Sequence, residues 1–110
     1  MRKGFIIVYT TVGKRKDAEM IARKLLKRRY IACANIFPMG ANYWWQGKIE
    51  KVKEFGLFLK TKKENYKIVE RELKRIHPYE LPCILSWRIE RGEKNYLNWL
   101  KESVEFKEEI

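Results

Sequence analysis

Two extended arms of about 15 residues each, Ile31 to Trp45 and Lys48 to Lys62, flank the pair Gln46-Gly47. Stretches of this kind on either side of a Gly-containing pair read as a β-hairpin closed by a tight turn. An arm of that length reaches about 50 Å in strand geometry. A domain of 110 residues has a compact radius of gyration of only ~13 Å. The hairpin must therefore bend sharply or project, and Pro38 and Gly40 mark the expected bulge or bend. A projecting two-stranded ribbon is marginal in water. Its open edges and its Tyr43-Trp44-Trp45 tip require a partner.

The other elements fall around this hairpin. Phe5 to Thr11 is a near-continuous apolar strand, and Gly13 ends it. From Lys14 to Arg29, Ala18, Ile21, Ala22, Leu25 and Leu26 recur at helical spacing. The first turn of that helix carries Lys14, Arg15 and Lys16, the unfavourable sign for a helix N-terminus; the turn either costs stability or meets an anion. Lys63 to Ile76 is a second helix with Tyr66, Val69, Leu73 and Ile76 on its stripe. Cys83 to Ile89 is a strand, and Asn95 to Lys107 is a last helix with Tyr96, Leu100 and Val104 on one face. The order strand, helix, strand, strand, helix, strand is the split βαββαβ, ferredoxin-like pattern. It predicts an α+β fold with a four-stranded antiparallel sheet, helices on one face and an extra C-terminal helix, all in a single domain over residues 1–110. Strand residues of both parities are apolar, Ile6 and Val8 with Ile7 and Tyr9, Leu57 and Leu59 with Phe58. The sheet face opposite the helices is thus not made for water, and a homo-oligomer would bury it together with the hairpin.

Composition narrows the setting. No apolar run approaches the ~20 residues of a bilayer span, and the five-residue apolar run after Arg2-Lys3-Gly4 is too short for a signal peptide. A cytoplasmic protein with no membrane association is expected. Cys33 and Cys83 lie in apolar surroundings without CxxC or zinc spacing, and so read as reduced and buried. The net charge of +11 is compatible with anionic partners. However, 13 of the 14 acids are Glu, and Gln occurs once. That surface resembles a thermostable protein rich in ion pairs.

The segment His77-Pro78-Tyr79-Glu80-Leu81-Pro82 holds the only histidine and two of the three prolines. Pro78 drives His77 out of helical geometry and Pro82 makes Leu81 extended. An imidazole, a phenol and a carboxylate are thereby presented together, either as a site or as a rigid joint whose histidine caps the helix.

Ala32-Cys33-Ala34-Asn35, Tyr43-Trp44-Trp45-Gln46-Gly47-Lys48-Ile49, Lys60-Thr61, the His77–Pro82 segment and Tyr96-Leu97-Asn98-Trp99-Leu100 together resemble the CutA family of divalent-cation tolerance proteins. The resemblance runs from about Ile6 to Val104. It implies a tight homotrimer with hairpins exchanged between subunits, a role in tolerance of copper and other divalent cations, and no enzymatic activity. Its trimers are similar to those of the PII signalling proteins, which implies a small-molecule site. Copper-binding members carry a Cys in the first strand, a His before the His-Pro-Tyr motif, and the motif's own His; Thr10, Ile76 and His77 stand at these positions here. A metal set of His77 with Glu80 and Cys33 is the expectation left. Copper or another divalent cation would be its ion, in the mixed-ligand geometry such ions take.

For Tyr43, Trp45, Lys60, His77, Tyr79 and Glu80 the expectation is a ligand pocket between subunits, aromatic walls with a few charged groups. The plainer alternative has the aromatics packing the interface and Lys60 pairing with Glu80 or Glu54. Trp44, Trp87 and Trp99 read as packing residues. His77 with Glu80 could form a base and its orienting group, but no nucleophile or oxyanion loop accompanies them. The rival from another class is an RNA-recognition module, which shares the element order and stacks bases on central-strand aromatics. Lys53-Glu54-Phe55-Gly56-Leu57-Phe58 echoes its signature, with Glu54 where a Gly belongs and Leu57 replacing an aromatic. No specific nucleic-acid partner is expected.

Overall fold

Alternation along the first strand decides which side of the sheet becomes core. A computed structural model describes residues 4–104 of the chain. In β1 (Phe5–Val12), Ile6, Val8 and Thr10 are buried while Phe5, Ile7 and Tyr9 are half-buried on the other face. β1 pairs antiparallel with β3 (Lys48–Lys62) on one side and β4 (Leu85–Ile89) on the other. β2 (Cys33–Trp45) pairs with β3, so the strand order is β2-β3-β1-β4. Helices α1 (Arg15–Lys27) and α2 (Tyr66–Ile76) close the first face. Val8, Ile21, Leu25, Leu57, Leu59, Val69 and Leu73 are sealed between sheet and helices as one core. This is the α+β, split βαββαβ architecture expected.

The helix ends explain themselves locally. α1 contains the whole apolar stripe but stops short of the expected Arg29, because Arg29 turns to φ 60°. Tyr30 N–H then donates to Leu25 O at 3.1 Å and Arg29 N–H to Leu26 O at 3.0 Å, the paired bonds of a Schellman stop. In the basic first turn, which also carries Asp17, Arg15 lies 4.9 Å over the Phe55 ring and 3.9 Å from Glu19. A 3₁₀ turn, Lys63–Asn65, precedes α2. α3 (Lys94–Val104) buries Leu100 and Val104. Ser103 O accepts from Arg29 Nη1 at 2.8 Å, and Lys60 Nζ donates to the Tyr96 hydroxyl at 3.2 Å. The expected continuation of this helix to Lys107 lies outside the described residues.

Two expectations about the hairpin are resolved. The register runs one-to-one from Cys33↔Lys60 to Trp45↔Lys48 without interruption, so Pro38 and Gly40 make no bulge. Pro38 fits because β2 is an edge strand, where one row of N–H groups has no ladder partner. Gln46 (φ 52°) and Gly47 (φ 80°) supply the two positive φ values of a type I′ turn. Beyond the pair Val12↔Phe55 the ribbon has no third strand. It projects, and the described residues extend 46 × 33 × 22 Å with a radius of gyration of 14.9 Å.

The face away from α1 and α2 carries Tyr9, Phe37, Phe58 and Trp87 as one aromatic group, the Phe37–Phe58 and Phe58–Trp87 rings meeting edge-on at 4.9 and 5.8 Å. Gly56 lies beneath it: a Cβ there would sit 2.6 Å from the Phe37 ring. The ion-pair network expected from composition is sparse among the described residues. Only Glu72 holds two partners, Arg71 and Arg75.

Candidate functional site

Pro78 fixes the start of the site. The His77 N–H closes α2 by donating to Leu73 O at 2.8 Å, and His77 is itself extended (φ −71°, ψ 136°), as the residue before a proline should be. The chain then crosses the upper end of the sheet as Pro78–Cys83 before entering β4. The projecting ribbon stands opposite it. Between them opens a cleft of about 1080 Å³, lined on the ribbon side by Met39 to Trp45 with Glu50 and Glu54, and on the other by Pro78 to Cys83. Tyr9 and Thr11 of β1 complete its lining.

Four of the six expected ligand residues meet here: Tyr43, Trp45, Tyr79 and Glu80. Lys60 does not. It sits six residues from Glu54 along β3, about 20 Å at strand rise, and its ammonium is engaged by Tyr96 through a hydrogen bond and a 5.4 Å cation–π contact. It pairs with neither Glu80 nor Glu54. His77 is also not on the wall. It is 8% exposed and acts from behind: its Nδ1 accepts from the Tyr79 N–H at 3.1 Å and its ring lies 5.0 Å from the Tyr79 ring.

The residue that sequence reasoning passed over as part of the site is Glu54, considered only as a partner for Lys60 and as a departure from the RNA-recognition signature. It is 5% exposed and accepts the Tyr79 hydroxyl at 2.7 Å. Burial, and then that hydrogen bond, push the Tyr79 phenol well above its ordinary value. The phenol therefore stays protonated and donates. Burial likewise pushes up the Cys83 thiol and the Tyr9 phenol, with Glu54 adding to both. Strand alternation put Glu54 on the face of Phe58; nothing local in the sequence said that Tyr79 would cover it.

The expected metal set does not fit a metal ion. His77 Nε2 is 2.9 Å from Thr11 O and 3.1 Å from Thr10 Oγ1. A carbonyl only accepts, so the proton is on Nε2, and the Nδ1 lone pair is taken by Tyr79 N–H. The imidazole has no lone pair left to give. Cys33 stands opposite Lys60, whose β1 partner is Ile7. It is thus three positions from Thr10, on the order of 10 Å along the strands, and by alternation on the other face of the sheet. Glu80 is in the cleft. Among the described residues no group of three or more His, Cys, Asp and Glu side chains gathers where it could hold an ion. Both cysteines are free and half-buried.

The His77 arrangement fixes a pH response. Burial lowers the imidazole below its ordinary 6.5, so the unfolded chain binds a proton that the folded chain refuses. The stabilisation is complete above about pH 6.5 and is lost as the pH falls through that value toward the lowered one. Urea midpoints should therefore drop on acidification through this window, and His77→Gln should flatten the slope.

A ferredoxin-like sheet with an overlong hairpin, and an aromatic, acid-lined cleft beside its helix-to-strand joint, define the class of α+β protein to which this chain belongs. The description "CutA1 divalent ion tolerance protein" belongs to the family model that matches residues 6–103. The chain is 44% identical over 98 residues to the divalent-cation tolerance protein CutA of Archaeoglobus fulgidus, covering 89% of this chain and 96% of that one. It is 43% identical over 99 residues to the protein of the same name from Thermotoga maritima, covering 90% and 98%. The solved structure of the Archaeoglobus fulgidus protein, described as periplasmic, superposes with a TM-score of 0.89 at 42% identity, over 92% of this chain and 99% of that one. This chain belongs to the CutA family.

Proposed function

We propose that this chain works as a homotrimer in tolerance of divalent cations, copper among them. It acts as a binding protein rather than an enzyme and holds a small ligand in a cleft where subunits meet. The observation that carries the reading is the cleft itself, walled on one side by a ribbon that is unsupported in the single chain. Trp44 is 71% exposed and Ile49 65%, and they face each other across the ribbon. β2 and β4 are open edges at opposite ends of the sheet, and head-to-tail edge contacts can close a ring.

The role in metal tolerance follows the family, and the failure of His77, Glu80 and Cys33 to converge favours a small ligand over a resident ion at this position. Two free cysteines favour the cytoplasm, although the Archaeoglobus fulgidus relative is described as periplasmic; no helix among the described residues is long and apolar enough to cross a membrane. Thermostability would come from burial in the assembly, given the sparse ion pairs of one chain. An RNA-recognition role is disfavoured. Leu57, at the second stacking position, is fully buried under the helices, and the exposed-face aromatics pack on one another.

Native mass spectrometry of the untagged protein tests this. The expected species has three times the 13.4 kDa chain mass. A monomer at micromolar concentration would remove the subunit site.

A further inference from the structure

We propose that the cleft is a receptor for a linear aliphatic polyamine, one ammonium group seated on Glu54 and another reaching Glu50, with the methylene chain passing Ala41 and Tyr43 of the facing strand. The proposal rests on the cleft being a ligand site, as argued above, and names its ligand class.

Charge is the first ground. The chain carries 25 Lys and Arg against 14 acids, yet among the described residues no Lys, Arg or His lines the cleft. Glu50, Glu54 and Glu80 do. One chain thus contributes only acidic charge to the cleft lining, in spite of its net charge of +11, and this suits a cationic ligand.

Glu54 is the second and independent ground. It is 5% exposed and lines the cleft. Its Oε2 accepts from Tyr79; among the described residues its other oxygen accepts no hydrogen bond and meets no cation. An ammonium group entering from the cleft would give that second oxygen a charge-assisted donor.

Spacing and walls then choose among cations. Glu50 and Glu54 lie four residues apart on one strand and so on one face, about 13 Å at strand rise. A single metal ion cannot be shared across that span, whereas a chain bearing two or more ammonium groups bridges it. Tyr43 stands opposite Glu50 in register, and Tyr79 is bonded to Glu54. Each carboxylate is therefore accompanied by an aromatic ring, the surroundings in which ammonium groups are held best.

The test is calorimetric titration of spermidine into the untagged, full-length protein at low ionic strength, with native mass spectrometry of the same samples. Saturable binding is expected, in spite of the protein's net positive charge. Glu54→Gln, which still accepts the Tyr79 hydroxyl, should weaken binding by at least about tenfold and Glu50→Gln by several-fold. Magnesium at matched ionic strength should not compete beyond screening. Absence of saturable heat, a Glu54→Gln affinity within twofold of the parent, or full displacement by magnesium would each overturn the proposal. So would a Glu54→Gln protein that loses both spermidine and its assembly, since a second copy's cation would then be the occupant of Glu54. Should Glu54→Gln not fold, Glu50→Gln and Glu80→Gln decide by the same criterion. A monomer that binds spermidine would remove the trimer reading and keep this one; a trimer that ignores spermidine would do the reverse.

Discussion

His77→Ala should cost about 3 kcal/mol of folding stability, from the loss of a buried ring and of its bonds, and leave copper affinity unchanged. The imidazole joins three parts of the fold at once: the carbonyl of Thr11, the hydroxyl of Thr10 and the N–H of Tyr79. Removing it strands a buried carbonyl and a half-buried N–H at the joint between α2 and the Pro78–Cys83 crossing. The drop is read from urea unfolding at matched protein concentration, with an unchanged slope marking a true stability change. Copper affinity is read by competition with a chromophoric chelator. A tenfold loss of copper affinity would mean that the ring turns to ligate, and would restore His77 as a metal ligand. The same variant should weaken ligand binding at the cleft only modestly, because the residue positions Tyr79 without touching the cleft.

The double substitution Trp44→Glu, Ile49→Glu should weaken the trimer by at least about a hundredfold, while each chain stays folded. Two exposed apolar side chains facing each other across an unsupported ribbon contribute roughly 1.5–3 kcal/mol each when covered. The core under α1 and α2 lies far along β3 from this pair and should be indifferent. Native mass spectrometry across a dilution series gives the assembly, and far-ultraviolet circular dichroism gives the fold. A trimer that persists at nanomolar concentration would show that the ribbon tip is not what holds the subunits.

The fold was legible because each of its elements states its period. A short apolar run in β1, stripes on α1 and α2, and a Gly-closed turn with long arms leave little freedom, and β3 runs over the very residues read for it. What misled were residues whose meaning depends on an edge. Pro38 reads as a break, and only the position of β2 at the sheet margin makes it harmless. The helix end at Lys27 was missed because Arg29 adopts a conformation that sequence assigns to glycine. In the site, Tyr43, Trp45, Tyr79 and Glu80 were legible as an aromatic and charged group flanking the joint. Lys60 was not separable from them, since its distance depends on register, and Glu54 was invisible because its burial comes from a loop more than twenty residues away. For the imidazole the sequence left two readings open, a site or a rigid joint, and its hydrogen bonds to Thr10, Thr11 and Tyr79 favour the joint.

None of the four indoles is in the core. Trp44, Trp45, Trp87 and Trp99 keep 71, 42, 43 and 45% of their surface exposed, and they sit on the ribbon, the open sheet face and the last helix. The intrinsic emission of this protein therefore reports less on its interior than on whatever covers its outside. A folded but solitary chain would glow with the red-shifted colour of a solvated one, and a shift to the blue on concentration would record subunits meeting, with no label attached.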